Sequence, residues 1–178
     1  MSRIASIKPE EATGVTAEVF GAIKKAVGKV PNAYATIGTQ NIDALKAMLQ
    51  ADQVVAKGTL SKQDQETIKL VISEVAGCDY CVAAHTLVGK FAGLAPEAMK
   101  QLRAGDATGD AKRDALVRFV RGLAQSHGTV SQEDFDAIVA AGYSHAQLVE
   151  ISLAVAVITF TNVFNRINDT TLDFPAVQ

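Results

Sequence analysis

The segment QETIKLVISEVAGCDYCVAAHT, Gln65–Thr86, decides how this 178-residue chain is read. Before Gly77 the apolar residues Ile68, Leu70, Val71, Ile72 and Val75 follow a helical pattern. Ser61 precedes them as an N-cap, with Asp64 three residues on as a capping-box variant. Gly77 breaks the run, and a second helix is predicted from about Asp79 to Gly93. Both cysteines and one of the three histidines lie in the nine residues GCDYCVAAH that begin at this break. A Cys-x-x-Cys pair that starts a helix after another helix, with no strand before it, belongs to an all-helical frame.

The same periodicity extends outward. Thr16–Val27 carries Val19, Phe20, Ile23 and Val27 on one face, and Lys29-Val30-Pro31-Asn32 then breaks it. Asn41–Ala56 follows with Ile42, Leu45, Met48 and Leu49, and Gly58 ends that run. Pro96 opens a short helix to Leu102, and RAGDATG, Arg103–Gly109, reads as a loop. Further helices are predicted near Ala111–Ser126, Gln132–Ala140 and His145–Ile167, before an irregular tail from Thr171 to Gln178. No segment shows strand alternation bounded by turns, so the expectation is a single all-α domain over residues 1–178.

An internal echo runs through this pattern. GTLSKQDQETI begins at Gly58 and GTVSQEDFDAI at Gly128. On a second offset, Glu66 precedes Cys78, Cys81 and His85 by twelve, fifteen and nineteen residues, and Glu150 precedes Asn162, Asn165 and Asp169 by the same intervals. Two halves of similar shape are expected: a redox core over about 58–102 and a degenerate second half over about 128–170 with polar substitutes.

Composition bounds the function. Apolar residues make up 48% of the chain and the mean hydropathy is +0.16. That richness suits either apolar surface buried between subunits or an Ala/Val-rich helical core. The net charge of −2, without a basic stripe, gives no basis for capture of nucleic acid or anionic membrane. MSRIASIKPEEATG holds no apolar core of a signal peptide. The most apolar window, Leu148–Phe164, is interrupted by Glu150, Ser152, Thr159, Thr161 and Asn162 and reads as a buried helix rather than a membrane span. A cytoplasmic protein is the expectation. In that reducing compartment a close cysteine pair is catalytic or metal-binding rather than a structural staple.

The spacing of Cys78, Cys81, Val82 and His85 predicts one helical stripe with both sulfurs and the imidazole on the same side. At a helix start the backbone N–H groups and the helix dipole stabilise a thiolate, and a nearby imidazole favours it further. Two cysteines three apart can also close a disulfide, which suits a dithiol that attacks, is oxidised and is resolved by its neighbour. A zinc site is not expected: there is no third cysteine, and His127 and His145 lack paired spacing. A thioredoxin unit would need a strand before the pair. Inert cysteines filling a helix interface are the plain alternative. Upstream, Glu66 and Glu74 both qualify from geometry as a proton-handling carboxylate.

Gln65–Thr86 resembles the core of the alkyl hydroperoxidase D-like (AhpD-like) proteins, grouped with the carboxymuconolactone decarboxylases. Their pattern is a Glu, eleven residues, Cys-x-x-Cys, and a His four residues after the second Cys, filled here by Glu66, Cys78, Cys81 and His85. The likeness extends more weakly over Gly58–Leu102, and the ending TNVFNRINDTTLDFP is similar to the peroxidase-related branch. The resemblance implies an all-α fold with two similar halves, assembled into trimers or hexamers. It implies a thiol-dependent reductase of hydroperoxides in which Cys81 attacks, Cys78 resolves, and Glu66 with His85 relays protons. The expected partners are a small hydroperoxide and a dithiol donor, protein or lipoyl-type, with no metal or organic cofactor, no nucleic acid and no membrane. Rival activities on the same scaffold are a lactone decarboxylase, whose members generally lack the cysteine pair, and a non-catalytic redox sensor. The best-characterised members carry a second histidine between the cysteines, where this chain has Tyr80.

Overall fold

A computed structural model of the chain describes residues 2–177. Among these residues the regular structure is entirely helical. A 3-10 turn at Pro9–Glu11 is followed by α1 (Gly14–Val27), α2 (Asn32–Gln40), α3 (Ile42–Ala56), α4 (Lys62–Val75), α5 (Asp79–Phe91), α6 (Pro96–Ala104), α7 (Ala111–Gln125), α8 (Gln132–Ala140) and α9 (His145–Asn168).

α4 is the axis of the fold, packed against α3, α5, α6, α7 and α9. Its nine consecutive residues Gln65–Ser73 are all buried, so the helix has no solvent face over more than two turns. Ile68, Leu70 and Val71 meet Leu116 and Val120 of α7 and Ile151, Ala154 and Ile158 of α9 in the main core. A smaller core joins Phe20 and Ile23 of α1, Ile37 of α2, Leu45 and Met48 of α3 and Val157 of α9. Gly38 is part of that joint: a Cβ there would come within 2.6 Å of the Phe20 ring.

Polar residues buried in α4 are tied to its neighbours. The Gln65 amide donates to the Leu60 carbonyl at 3.0 Å, and Ser73 donates to Asn162 Oδ1 of α9 at 3.1 Å. Glu150, also on α9, accepts from the Thr59 and Leu60 N–H groups at 2.8–3.0 Å and so fixes the entry into α4. Ser61 caps α4 as expected, its hydroxyl accepting from Asp64 N at 3.0 Å. Gly77 then turns the chain at φ +63°, a left-handed conformation that disfavours side chains with a Cβ.

Beyond the 3-10 turn, the structure adds one α-helix that sequence periodicity does not show. Pro31 opens α2 rather than merely ending α1. The echo also falls on unlike elements. Glu66 to His85 spans α4, a turn and α5, whereas Glu150 to Asn165 lies on the single helix α9, with Asp169 at its C-cap. α9 is long and apolar enough to cross a membrane by length and composition, but it packs against α2, α3, α4 and α5 and buries three asparagines.

Leu116 is fully buried where α7 meets α4. Leu116→Ala should therefore lower the unfolding free energy by about 3 kcal/mol, read from the urea midpoint at unchanged slope.

Candidate active site

Cys78 is the N-cap of α5, with φ −101° and ψ 88°, rather than its first helical residue. Its side chain therefore leaves the predicted stripe and folds back over the first turn, where its sulfur accepts the Cys81 N–H at 3.4 Å. The two free thiols lie with their sulfurs 2.7 Å apart, and both residues are buried, at 2% and 3% exposure. They face different spaces. Cys81 and His85, one helical turn apart, line a cavity of about 160 Å³ walled by Tyr34, Tyr80, Phe174 and Asn165. Cys78 lines a separate cleft with Glu74, Asp79 and Arg103.

The pair titrates as a unit. The first proton leaves easily from Cys78, because the neighbouring Cys81 thiol and the Cys81 N–H stabilise the charge and outweigh burial. The thiol of Cys81 is pushed far above the ordinary cysteine range by the adjacent Cys78 sulfur and by burial, which the Asn165 amide and Thr161 hydroxyl only partly oppose. When the pair gives up one proton, the charge falls on Cys78 with the Cys81 thiol against it.

Beside the thiols lies a buried ionic chain contributed by three helices. Glu66, 5% exposed, accepts from His85 Nδ1 at 2.8 Å and pairs with Lys69 Nζ at 3.4 Å. Lys69 in turn pairs with Asp52 of α3 at 3.0 Å. An ionised carboxylate can only accept, so Nδ1 carries the hydrogen and Nε2 is the basic nitrogen of His85. Burial would push the Glu66 carboxyl up, but His85 and Lys69 hold it below the ordinary carboxylate range. Burial would likewise drag the Lys69 ammonium down, yet Glu66 and Asp52 hold it above its ordinary value. Tyr34 of α2 completes this surrounding, its hydroxyl pushed far up by burial and by the nearby Asp52, Cys81 and Glu66.

The structure thus brings together the four sequence-selected residues Glu66, Cys78, Cys81 and His85. It sends the other candidate, Glu74, to Arg103 at 2.6 Å. Sequence reading did not find Lys69, Asp52 or Tyr34. The spacing of Lys69, three residues after Glu66 on one helix, was the available signal for the first. Tyr80 is fully engaged: its hydroxyl donates to Asp173 Oδ1 at 2.7 Å and accepts the Ala33 N–H at 3.2 Å, and its ring meets Phe174 edge-on. Asp173 also pairs with Lys29 at 2.9 Å, so Tyr80 ties α2 and the C-terminal tail over the cavity. Among the described residues no group of three or more His, Cys, Asp or Glu side chains is placed to hold a metal ion.

The class this defines is an all-helical protein whose paired thiols start a helix beside a buried carboxylate–imidazole pair. Residues 43–120 match the model of the carboxymuconolactone decarboxylase family, and the fold is AhpD-like. A comparison with curated proteins finds no match. Among solved structures, an uncharacterized peroxidase-related protein with an alkylhydroperoxidase AhpD core, from Ralstonia eutropha JMP134, is 19% identical over 97% of this chain and 92% of that one, with a TM-score of 0.86. A peroxidase-related protein from Silicibacter sp. TM1040 is 18% identical over 96% and 94%, with a TM-score of 0.80. The debrominase Bmp8 is 20% identical over 97% and 93%, with a TM-score of 0.81. At these identities the likeness establishes the fold.

The ionic chain makes a testable contribution to stability. The Glu66 pKa is lowered on folding, so its contribution is complete above the unfolded carboxylate value and is lost as pH falls through the folded one. The Lys69 pKa is raised, so its contribution is complete below the unfolded lysine value and is lost as pH rises through the folded one. Lys69→Met leaves two carboxylates facing one another and should cost about 3 kcal/mol at neutral pH. The gap to the parent should narrow in acid as Glu66 loses its charge, checked by urea unfolding across a pH series.

Proposed function

We propose that this protein is a thiol-dependent peroxidase acting on small organic hydroperoxides, with Cys81 as nucleophile. The observation that carries the reading is the position of Cys81: its residue lines an apolar cavity with His85, while its sulfur touches that of Cys78. Loss of one thiol proton to His85 Nε2 and transfer of the other from Cys81 to Cys78 place the charge on Cys81 for attack, leaving His85 an imidazolium and Cys78 a thiol. Cys81 sulfur then bonds to the distal oxygen as the O–O bond breaks, and the departing alkoxide takes a proton from the imidazolium. Cys81 is oxidised to the sulfenic acid and the peroxide reduced to an alcohol. Cys78 displaces the sulfenic oxygen as water, forming the disulfide, and a dithiol donor in a reducing cytoplasm restores both thiols by exchange.

A second reading is favoured by the likeness to Bmp8, whose cysteine-to-alanine variant has been solved in complex with 2,3,4-tribromopyrrole. A cavity of about 160 Å³ is the size of one small ring. In that chemistry Cys81 would attack the halogen, the ring carbon would take up a proton, and Cys78 would displace halide. Both reactions draw the same two electrons from the dithiol and differ in the atom attacked.

The exposed apolar stripe of α9 supports a homo-oligomer in which a second copy covers it. Val149, Phe160, Val163 and Ile167 lie on this outer face, with Val149 71% exposed. Sedimentation of the parent should give a multiple of the 18.7 kDa chain, and a monomer at micromolar concentration would refute this assembly.

With dithiothreitol as donor, the parent should consume tert-butyl or cumene hydroperoxide, and Cys81→Ser should fall to the uncatalysed rate. Cys78→Ser should accumulate a dimedone-reactive sulfenic acid on Cys81. His85→Ala should slow turnover by about a hundred-fold or more. Undiminished turnover in Cys81→Ser would overturn the assignment. Oxidation of the dithiol by a brominated pyrrole but by no hydroperoxide would select the second reading.

A further inference from the structure

Asn165 stands on α9 at the position that the sequence echo aligns with Cys81, and the two residues meet in the fold. Its amide Nδ2 donates to the Cys81 sulfur at 3.3 Å. The residue is 4% exposed, forms part of the wall of the Cys81 cavity, and its carbonyl Oδ1 has no hydrogen-bond partner. Among the described residues, five buried side-chain polar atoms lack a partner, and Asn165 Oδ1 is the one whose residue lines this cavity. A buried carbonyl left unpaired costs free energy, so a site that retains one beside its nucleophile invites a ligand donor. Reversing the amide would place the carbonyl against the sulfur, where it repels a thiolate, so the charged nucleophile fixes the orientation. The Tyr80 hydroxyl, also on this cavity, is already taken by Ala33 N–H while donating to Asp173.

We propose that Asn165 positions the substrate by bridging nucleophile and electrophile: its N–H holds the Cys81 sulfur and its carbonyl accepts the O–H of the hydroperoxide. The inference rests on the peroxidase reading above and deepens it. In a hydroperoxide the hydrogen sits on the distal oxygen, which is the atom the sulfur attacks. One amide thus holds both reacting atoms, and the hydrogen stays on the same oxygen as the S–O bond forms and the O–O bond breaks. The leaving alkoxide draws its proton from His85, so the amide gives up none. The arrangement selects peroxides with a free O–H, which dialkyl peroxides lack.

The test compares two reagents on each variant by stopped flow: cumene hydroperoxide, which donates a hydrogen bond, and methyl methanethiosulfonate, which does not. The ratio of the two rate constants isolates the acceptor from the reactivity of the sulfur. Asn165→Leu removes donor and acceptor, and the ratio should fall about ten-fold, the effect of one hydrogen bond. Asn165→Asp keeps the shape and an acceptor but alters the donor, and its ratio should stay within about two-fold of the parent while both rates fall at neutral pH. Equal losses toward both reagents in Asn165→Leu, or a ten-fold lower ratio in Asn165→Asp, would overturn the proposal and leave the peroxidase reading standing. A parent protein that reacts with the thiosulfonate but with no hydroperoxide would overturn both.

Discussion

A carboxylate buried in the middle of a helix has to be met by cations, and Glu66 sets that condition for the whole site. At 5% exposure its charge survives only because Lys69 stands one turn along the same helix and His85 reaches it from α5. Lys69 is itself nearly buried and draws in Asp52 from α3. Three helices are thereby held in one register around a chain of alternating charge. The reversal at Gly77 is what lets α5 run back along α4 far enough for His85 to arrive. The same reversal leaves Cys78 at the start of α5, its sulfur against the first turn. Charge pairing and thiol placement are two consequences of one turn.

The legible part of this molecule is the part governed by local rules. Capping at Ser61, the glycine break and the helical spacing of apolar residues are short-range effects, and α4 and α5 follow from them closely. The illegible part depends on what meets across space. α2 carries small and β-branched residues without an apolar stripe, and Pro31 is as good a helix opener as a terminator. Its burial comes from α3, α1 and α9, and the last of these lies far outside any window of local sequence. The Cys78 side chain is a subtler case. Cys78 lies one residue before the first helical position, and its N-cap backbone is not helical, so i+3 and i+7 no longer share its face. Asp52 was equally hidden, since it gains its meaning from a partner on another helix, whereas Asn165 was marked by the echo but not its contact with Cys81.

The two sulfurs touch and yet occupy unlike surroundings. Cys78 meets a cleft with charged walls, and its thiolate is favoured by the helix start. Cys81 meets an apolar cavity, where a resting charge would be costly. Because Cys78 gives up its proton more readily than Cys81, ionisation of the pair need not place a charge in the dry pocket. Because the sulfurs are 2.7 Å apart, the charge can still reach Cys81 without crossing solvent. In the proposed cycle this makes the resolving cysteine the keeper of the charge until substrate arrives.

Tyr80 sharpens that division. Between the cysteines this chain has a phenol whose hydroxyl is occupied at both ends. Burial and the Asp173 carboxylate push its pKa well above the ordinary tyrosine range, so it stays neutral and takes no part in proton exchange near neutral pH. Of the other histidines, His127 lines a groove between α4, α7 and α9, and His145 rests on Phe135. His85 is then the one imidazole among the described residues that lines the Cys81 cavity, and in the proposed cycle it carries the proton with Glu66 behind it. The contribution of Tyr80 is structural. The phenol fastens α2, and with it Tyr34, to the tail that carries Phe174, and these close the apolar walls around Cys81.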